Sequence, residues 1–269
     1  MIAHLINTDV GRRGVLRVYL DYRRDNPNFL NNSAKMLLDN YERVLIITGF
    51  PIPPSMRAET DGPPGALAVA KAIEALGGKA EILTYPEVRT ALEPFGLRFV
   101  EEPELSGYSL VIAIETPGRA PNGKYYSMGG LEITRETFDW AVLEAGELGI
   151  PTIGIGDGGN EAGMGKIYDL VRRYVPRGEV IASTVETDEL ILSAVSNWGA
   201  YGLVAEASIE SGRKLLPDWD ERTIVRIISK LGLIDGVSGQ NTATVDGIST
   251  GIHDRIVELL NALVDEALR

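Results

Sequence analysis

Short apolar runs that alternate with helical segments are the feature that most constrains the fold of this chain. Three of them, VLIITG (44–49), SLVIAIE (109–115) and PTIGIG (151–156), are rich in β-branched residues and end in glycine or glutamate. Such continuous apolar runs are typical of strands buried on both faces of a parallel sheet. AEILTY, LRFV and EVIAS are predicted as further strands. The pattern predicts a doubly wound α/β fold, with a largely parallel sheet of about six strands and helices on both faces.

The last third of the chain changes character after residue 183. It is predicted to form helices at about 188–210, 220–231 and 251–268, and so to be a helical C-terminal third. A (β/α)₈ barrel is not expected, because this third supplies no strands. Two more helices are predicted before the first strand, at 15–24 and 29–39. No linker-like or low-complexity segment divides the sequence, so we expect a single domain over residues 1–269.

The residue inventory limits the chemistry. The chain has no Cys and only two His, His4 and His253, which lie near opposite ends and are expected to be surface or helix-packing residues. Thiolate catalysis and cysteine-containing metal sites are excluded, so a bound metal would be an oxygen-loving ion such as Mg²⁺. The net charge of −12 argues against nucleic-acid and anionic-membrane partners. We see no secretory signal and no long apolar run, and therefore expect a cytoplasmic location.

Three long loops follow strands and carry most of the polar residues of interest. They are FPIPPSMRAETDGPPG (50–65), TPGRAPNGKYYSMGG (116–130) and DGGNEAGMG (157–165). In open α/β sheets, ligands bind outside the carboxyl ends of the strands, where such loops converge. Loops of this length are uncommon in compact domains unless they carry a function. The sequence therefore predicts a binding site at this edge of the sheet.

The third loop formally satisfies the dinucleotide-binding pattern G-x-G-x-x-G. Asp157 and Glu161, however, place two negative charges where a pyrophosphate would lie. The acidic residue about twenty positions on, Glu179, falls at the start of the next predicted strand, whereas ribose recognition needs it at the end. We interpret the match as formal only.

Two interpretations of this loop remain open. If a helix starts near Asn160, Asp157 and Glu161 lie within about one turn and can face a shared ligand, cation or reacting amine. Alternatively, one carboxylate caps the helix and the other favours its N-terminal dipole.

The other loops also allow two interpretations each. ETDGPPG (59–65) contains ordinary helix-start signals, but the free N–H groups of a helix start can also hold a carboxylate or phosphate. Arg119 and Lys124 are either solvated loop charges or contacts for an anionic substrate. SNWGAY (196–201) interrupts a predicted helix, and its aromatic residues are expected in the core, while the Ser-Asn pair suggests a polar role.

Several of these motifs together resemble the D-glutamate cyclase family. They are ITGFPI, ETDGPPGA, IETPGRAPNGKYYSMGG, GIGDGGNEAGMGK, SNWGAYGL, and DGVSG with VDGI, and the resemblance runs from about residue 46 to residue 253. In larger relatives this domain follows another one, and the present chain resembles the cyclase domain alone. The resemblance implies a lyase that converts D-glutamate into 5-oxo-D-proline and water. Two alternatives are a nucleotide- or sugar-phosphate-binding α/β enzyme and a non-catalytic amino-acid-binding protein.

The implied reaction is an attack of the α-amine on the γ-carboxyl carbon. Asp157 is our predicted general base, with Glu161 second, and Glu115 or Glu161 is the predicted protonated acid. No cofactor is required, although a Mg²⁺ ion on Asp157 is compatible with the chemistry. D-glutamate is the expected partner, and a homo-oligomer is compatible with the sequence. The residues predicted to contact the substrate are Thr60, Asp61, Gly62, Arg119, Lys124, Tyr125, Gly158, Gly159, Asn160, Ser196 and Asn197.

Overall fold

A computed structural model describes residues 1–12, 14–215 and 220–269 of the chain. The strands are β1 (Arg43–Thr48), β2 (Pro51–Ile52), β3 (Arg57–Ala58), β4 (Lys79–Leu83), β5 (Leu110–Ile114), β6 (Tyr125–Tyr126), β7 (Glu132–Ile133), β8 (Thr152–Gly156), β9 (Glu189–Leu192), β10 (Thr244–Val245) and β11 (Ile248–Ser249). The α-helices are α1 (Ile2–Leu5), α2 (Val15–Asp25), α3 (Phe29–Asp39), α4 (Pro63–Leu76), α5 (Pro86–Leu92), α6 (Asp139–Glu147), α7 (Tyr168–Tyr174), α8 (Gly178–Ile181), α9 (Ser196–Ser211), α10 (Glu221–Lys230) and α11 (Thr250–Ala267).

Five strands form one parallel sheet in the order β4-β1-β5-β8-β9. Its centre is β1, β5 and β8, in which Ile46 pairs with Ile112, and Ile112 with Ile153. Every residue of β5 and β8 is buried, as expected for strands that have helices on both faces. The predicted doubly wound α/β fold is confirmed.

Helices cover both faces of this sheet. On one face, α3, α4 and α9 pack together, and α11 packs on the outer side of α9. On the other face, α6 packs against β5 and β8, over the side chains of Leu45 and Val111. Trp198 and Tyr201 of α9 are fully buried, which confirms their predicted place in the core. A helix that is enclosed by other helices and by a sheet is apolar on all sides.

The sheet has five strands where the sequence pattern predicts about six. The EVIAS run lies largely in helix α8, and LRFV contributes a single bridge between Phe99 and Ile82. Conversely, a segment predicted as helix contains a strand: β9 occupies the start of the segment 188–210. The helix α9 begins only at Ser196, so the SNWGAY motif starts this helix and does not interrupt it. Short apolar runs are compatible with both strand and buried helix, and only tertiary pairing decides between them.

The C-terminal helix α11 is fixed by a buried ring contact. The indole Nε1 of Trp198 donates a hydrogen bond to Nδ1 of His253 at 2.8 Å. Burial lowers the pKa of His253, which favours the neutral imidazole that can accept this bond. His253 is therefore a packing residue, as predicted. Among the described residues, no helix combines the length and apolar character needed to cross a membrane.

Glu221, the first residue of α10, should make stability depend on pH. It is fully buried and accepts a 2.6 Å hydrogen bond from the hydroxyl of Tyr201; burial raises its pKa to about 7. Between its usual pKa and this raised value the folded chain binds more protons than the unfolded chain, so stability is lost as the pH rises. We expect Glu221→Gln, relative to wild type, to gain up to about 3 kcal/mol in unfolding free energy between pH 5 and pH 8.

Urea unfolding of both proteins at pH 5 and pH 8 measures this difference. Effects of all other titrating groups cancel in the comparison, because both proteins contain them. An equal change of unfolding free energy with pH in wild type and variant would contradict the assignment of a neutral Glu221 at low pH.

Candidate functional site

The strand order reverses between β1 and β5, so the loops that leave these two strands diverge and open a crevice. Glu115 directly follows β5 at this point, and Asp157 directly follows β8, the next strand. Glu115 has a φ of 45°, a left-handed conformation that is rare for a residue other than glycine. Backbone strain of this kind costs about 1–3 kcal/mol and clusters at functional sites.

Two helix N-termini meet beside this crevice and cap each other. The Asp61 carboxylate accepts hydrogen bonds from the backbone N–H groups of Ser196 and Asn197, both at 2.8 Å, at the start of α9. In return, Oδ1 of Asn197 accepts from the N–H groups of Gly62 at 3.0 Å and Gly65 at 2.9 Å, at the start of α4. The N–H groups predicted to hold a substrate carboxylate thus have protein partners.

Asn197→Ala should destabilise the fold by about 1–3 kcal/mol, because the buried N–H of Gly65 loses its acceptor, whereas that of Gly62 keeps Oδ1 of Asp61 at 3.0 Å. Urea unfolding measures the loss. Asn122→Ala is the matched control, since Asn122 is exposed, and we expect it to stay within about 0.5 kcal/mol of wild type. Equal stability of the two variants would show that the mutual caps contribute nothing.

The loop after β8 is organised around Glu161. Its Oε1 accepts from the N–H groups of Asp157 (3.2 Å) and Gly158 (2.7 Å), and its Oε2 accepts from that of Gly159 (2.7 Å). No helix begins at Asn160, which was the condition for the shared-ligand interpretation of this loop. The loop wraps around the carboxylate of Glu161, and α7 starts only at Tyr168. The glycine N–H groups bind a side chain of the protein, so they form no cradle for a phosphate.

Glu115 is a strongly perturbed acid of the site. Its Oε2 accepts a 2.6 Å hydrogen bond from the hydroxyl of Ser196. Burial, followed by the nearby carboxylates of Glu161, Asp157 and Asp61, raises the pKa of Glu115 well above its usual value. Glu115 is therefore a neutral carboxylic acid, able to donate a proton, in a pH range where an exposed carboxylate is ionised.

Glu115, Asp157 and Glu161 line a cavity of about 460 Å³ at the carboxyl edge of the sheet. Its polar floor contains five acidic residues: Glu59, Glu115, Asp157, Glu161 and Asp246. All five are buried. No Lys, Arg or His is present among the described residues of its lining.

Two sets of three carboxylates are arranged so that they can hold a metal ion. One set is Asp61, Asp157 and Asp246, and the other is Glu115, Asp157 and Glu161; within each set the oxygens lie within 4.8 Å of one another. Carboxylate oxygens are the ligands of hard cations such as Mg²⁺. The donor atoms therefore fit a divalent cation, and Asp157, the predicted ligand, belongs to both sets.

The predicted cationic contacts lie elsewhere. Arg119 forms a two-pronged ion pair with Asp139, at 2.8 and 3.0 Å, and the hydroxyl of Tyr125 donates to the same carboxylate at 2.8 Å. Lys124 pairs with Glu132 at 2.7 Å on the surface. Arg119, Lys124 and Tyr125 are absent from the described lining of the cavity, and their contact with a substrate stays a prediction.

Glu59 and Asp246 are site residues missing from the candidates predicted from the sequence, although they lie within the ETDGPPGA and VDGI motifs. The late DGVSG and VDGI motifs hold them in place, because the Asp235 carboxylate accepts from the N–H groups of Ser238 and Gly247, both at 2.7 Å. Gly236 lies so close to Glu59 that a Cβ atom at this position would be 1.8 Å from Oε2. The available signal was their place within these motifs, and Asp235 joins the DGVSG and VDGI segments into a pair of loops that pack on each other.

Thr60 links these loops to the rest of the site. Its hydroxyl donates to the carbonyl of Thr244 at 2.8 Å, and its N–H donates to the carbonyl of Ile234 at 2.8 Å. The chain segment that precedes α4 is thereby joined to the C-terminal part of the chain. Thr60 is thus engaged with the backbone, and a contact with a substrate stays a prediction.

Two solved structures show weak similarity to this chain. One is RecJ in complex with Mn²⁺ from Thermus thermophilus, with 12% identity, a TM-score of 0.38, and coverage of 76% of this chain and 24% of that one. Another is exonuclease RecJ bound to manganese, with 12% identity, a TM-score of 0.39, and coverage of 75% and 42%. Similarity at this level supports no conclusion about function.

Comparison of sequences is more informative. The human mitochondrial D-glutamate cyclase is 31% identical to this chain over 293 aligned positions, which cover 86% of this chain and 47% of the human protein. The chain thus spans about half the length of this relative. A sequence model of the C-terminal domain of D-glutamate cyclase-like proteins matches residues 2–261. The chain therefore belongs to the D-glutamate cyclase-like family, to which its motifs are similar.

Proposed function

We propose that the cavity at the carboxyl edge of the sheet binds D-glutamate and converts it into 5-oxo-D-proline and water. The observation that carries the proposal is the pair formed by Glu115, a buried acid with a raised pKa, and Asp157 in one cavity of a D-glutamate cyclase-like domain. A neutral acid beside a carboxylate provides a proton donor and a proton acceptor within one site.

Cyclisation requires three events. The α-ammonium group of the substrate loses a proton to Asp157, and the free amine then attacks the γ-carboxyl carbon, forming the N–C bond of the ring. A second N–H proton passes from the attacking nitrogen to an oxygen of the former γ-carboxylate, which becomes the leaving hydroxyl. The C–OH bond then breaks as Glu115 delivers its proton to this hydroxyl, and water leaves. The resulting Glu115 carboxylate regains a proton from the solvent or from Asp157, so the enzyme returns to its starting state.

The floor of the cavity is acidic, yet it must bind a substrate that itself has two carboxylates. The side chain of Asn197 already accepts from the backbone N–H groups of Gly62 and Gly65. The side chain of Glu161 accepts from those of Gly158 and Gly159, so these four N–H groups are not available to hold an anion. A divalent cation bound by Asp61, Asp157 and Asp246 would supply the missing positive charge. Asp157 belongs to this set and is also the proposed proton acceptor, and a carboxylate offers two oxygens for these two roles.

Purified protein incubated separately with D-glutamate and L-glutamate, with chiral detection of 5-oxoproline, tests the proposal. Parallel reactions contain Mg²⁺, Mn²⁺ or a chelator. We expect 5-oxo-D-proline from D-glutamate, at a rate that a divalent cation raises. No 5-oxoproline from either enantiomer at high protein concentration would contradict the cyclase function, and binding of D-glutamate without turnover would favour an amino-acid-binding protein.

A further inference from the structure

The cavity is divided into a polar floor and an apolar mouth. Exposed side chains on opposite loops form part of the mouth: Leu131, beside β7, is 56% exposed, and Val237 is 64% exposed. Ile52, Pro53 and Met128 line the same mouth. Single exposed apolar residues are ordinary, but several that surround one cavity mark a surface that contacts an apolar ligand group.

Free D-glutamate does not use this mouth. At about 460 Å³ the cavity falls within the range of roughly 300–1,000 Å³ that is typical of pockets for drug-sized ligands. D-glutamate is much smaller, and each of its ends carries a charged group. It occupies the acidic floor and leaves the apolar mouth in contact with water.

A buried acceptor in the wall points to an additional N–H group on the ligand. The side-chain Nδ2 of Asn160 donates to the carbonyl of Tyr126 at 2.7 Å, which fixes the orientation of the amide. Its Oδ1 is buried and has no hydrogen-bond partner among the described residues, although Asn160 lines the cavity. A buried acceptor without a donor costs about 1–3 kcal/mol, and an amide N–H of the ligand would relieve that cost.

Charge favours the same kind of ligand. Five acidic residues line the floor, with no Lys, Arg or His among the described lining residues. An amide at the α-carboxyl of the substrate removes one negative charge and adds one N–H donor. It leaves the α-amine and the γ-carboxyl, the two groups that react, unchanged.

We propose that the cavity accepts D-glutamyl compounds whose α-carboxyl is an amide bearing an apolar group, such as a peptide with D-glutamate at its N-terminus. This inference rests on the proposed cyclase function and extends its substrate class. The amide N–H donates to Oδ1 of Asn160, and the apolar group lies between Leu131 and Val237. The α-amine forms a bond to the γ-carbon, the γ C–OH bond breaks, water leaves, and the α-amide bond stays intact.

The test compares D-glutamate with D-glutamyl-leucine amide as substrates of the purified protein, with mass-spectrometric detection of both cyclic products. We expect kcat/KM for the amide to be about tenfold or more higher than for D-glutamate, because burial of an apolar side chain stabilises the bound substrate by at least that factor. Turnover of D-glutamate with slower or no turnover of the amide would overturn the inference and leave the cyclase function standing. Failure of both substrates would overturn the cyclase function itself.

Variants of the mouth locate the apolar group. The double variant Leu131→Ser, Val237→Ser should lower the ratio of the two kcat/KM values by about fivefold or more, because the apolar group loses its contacts. Leu20→Ser is the matched control, since Leu20 is a 54% exposed residue of α2 outside the cavity, and the ratio should stay unchanged. An unchanged ratio in the double variant would contradict the placement of the apolar group.

Discussion

Asp157→Asn should lower kcat/KM for D-glutamate by about 10²–10⁴-fold, the usual contribution of a general base. The amide has nearly the same shape as the carboxylate but cannot accept the proton of the α-ammonium group. The backbone N–H of Asp157, which binds Glu161, is unaffected by the substitution, so the loop after β8 should keep its conformation. Initial rates with D-glutamate, together with circular dichroism and thermal unfolding of the variant, measure both expectations.

The matched control is Asp169→Asn in α7. The side chain of Asp169 is 93% exposed, and its nearest ion-pair partner, Arg172, is 3.8 Å away. Loss of this charge should leave the rate within about twofold of wild type, because exposed ion pairs contribute little. Turnover of Asp157→Asn at the wild-type rate would remove Asp157 from the mechanism.

Glu115→Gln should lower activity about as much as Asp157→Asn does. The glutamine is close in shape to the protonated glutamate, and its carbonyl oxygen can still accept the hydrogen bond from Ser196. What it lacks is an acidic proton for the departing hydroxyl. We therefore expect a loss of about 10²–10⁴-fold in kcat with preserved folding. Glu101→Gln is the matched control, because the side chain of Glu101 is 85% exposed and is absent from the described lining of the cavity.

The pH profile adds a second readout for Glu115. Because burial and neighbouring carboxylates raise its pKa, its proton is retained at pH values where an exposed carboxylate is already ionised, and is lost as the pH rises through the raised value. Wild-type kcat should therefore fall on the alkaline side, and the residual activity of Glu115→Gln should lack this alkaline decrease. A variant that retains both the wild-type rate and the wild-type profile would exclude Glu115 as the acid.

The fold could be predicted because its central strands have a distinctive composition. VLIITG, SLVIAIE and PTIGIG are β1, β5 and β8, and their continuous apolar character follows from burial on both faces. The peripheral elements were harder to predict from the sequence. The segment of β9 is paired on one side only and precedes a long apolar helix, so the sequence alone merged strand and helix. EVIAS has strand-like composition but forms part of α8.

The floor of the site could be placed from the sequence because the carboxyl ends of parallel strands meet at one edge. Glu115, Asp157 and Glu161 were selected on that ground, and the structure brings them into one cavity. The partners of the remaining groups could not be predicted, because they depend on contacts distant in sequence. Asp139, which holds Arg119, is 20 positions away, and Asn197 binds Gly62 from 135 positions away.

The central claim is that the acidic cavity after β5 and β8 is where D-glutamate is cyclised. A crystal structure of the protein with 5-oxo-D-proline, the product, tests it most directly. We expect density for the product in this cavity, with its ring nitrogen near Asp157 and its ring carbonyl near Glu115. Product bound elsewhere, in a protein that turns over D-glutamate, would contradict the claim.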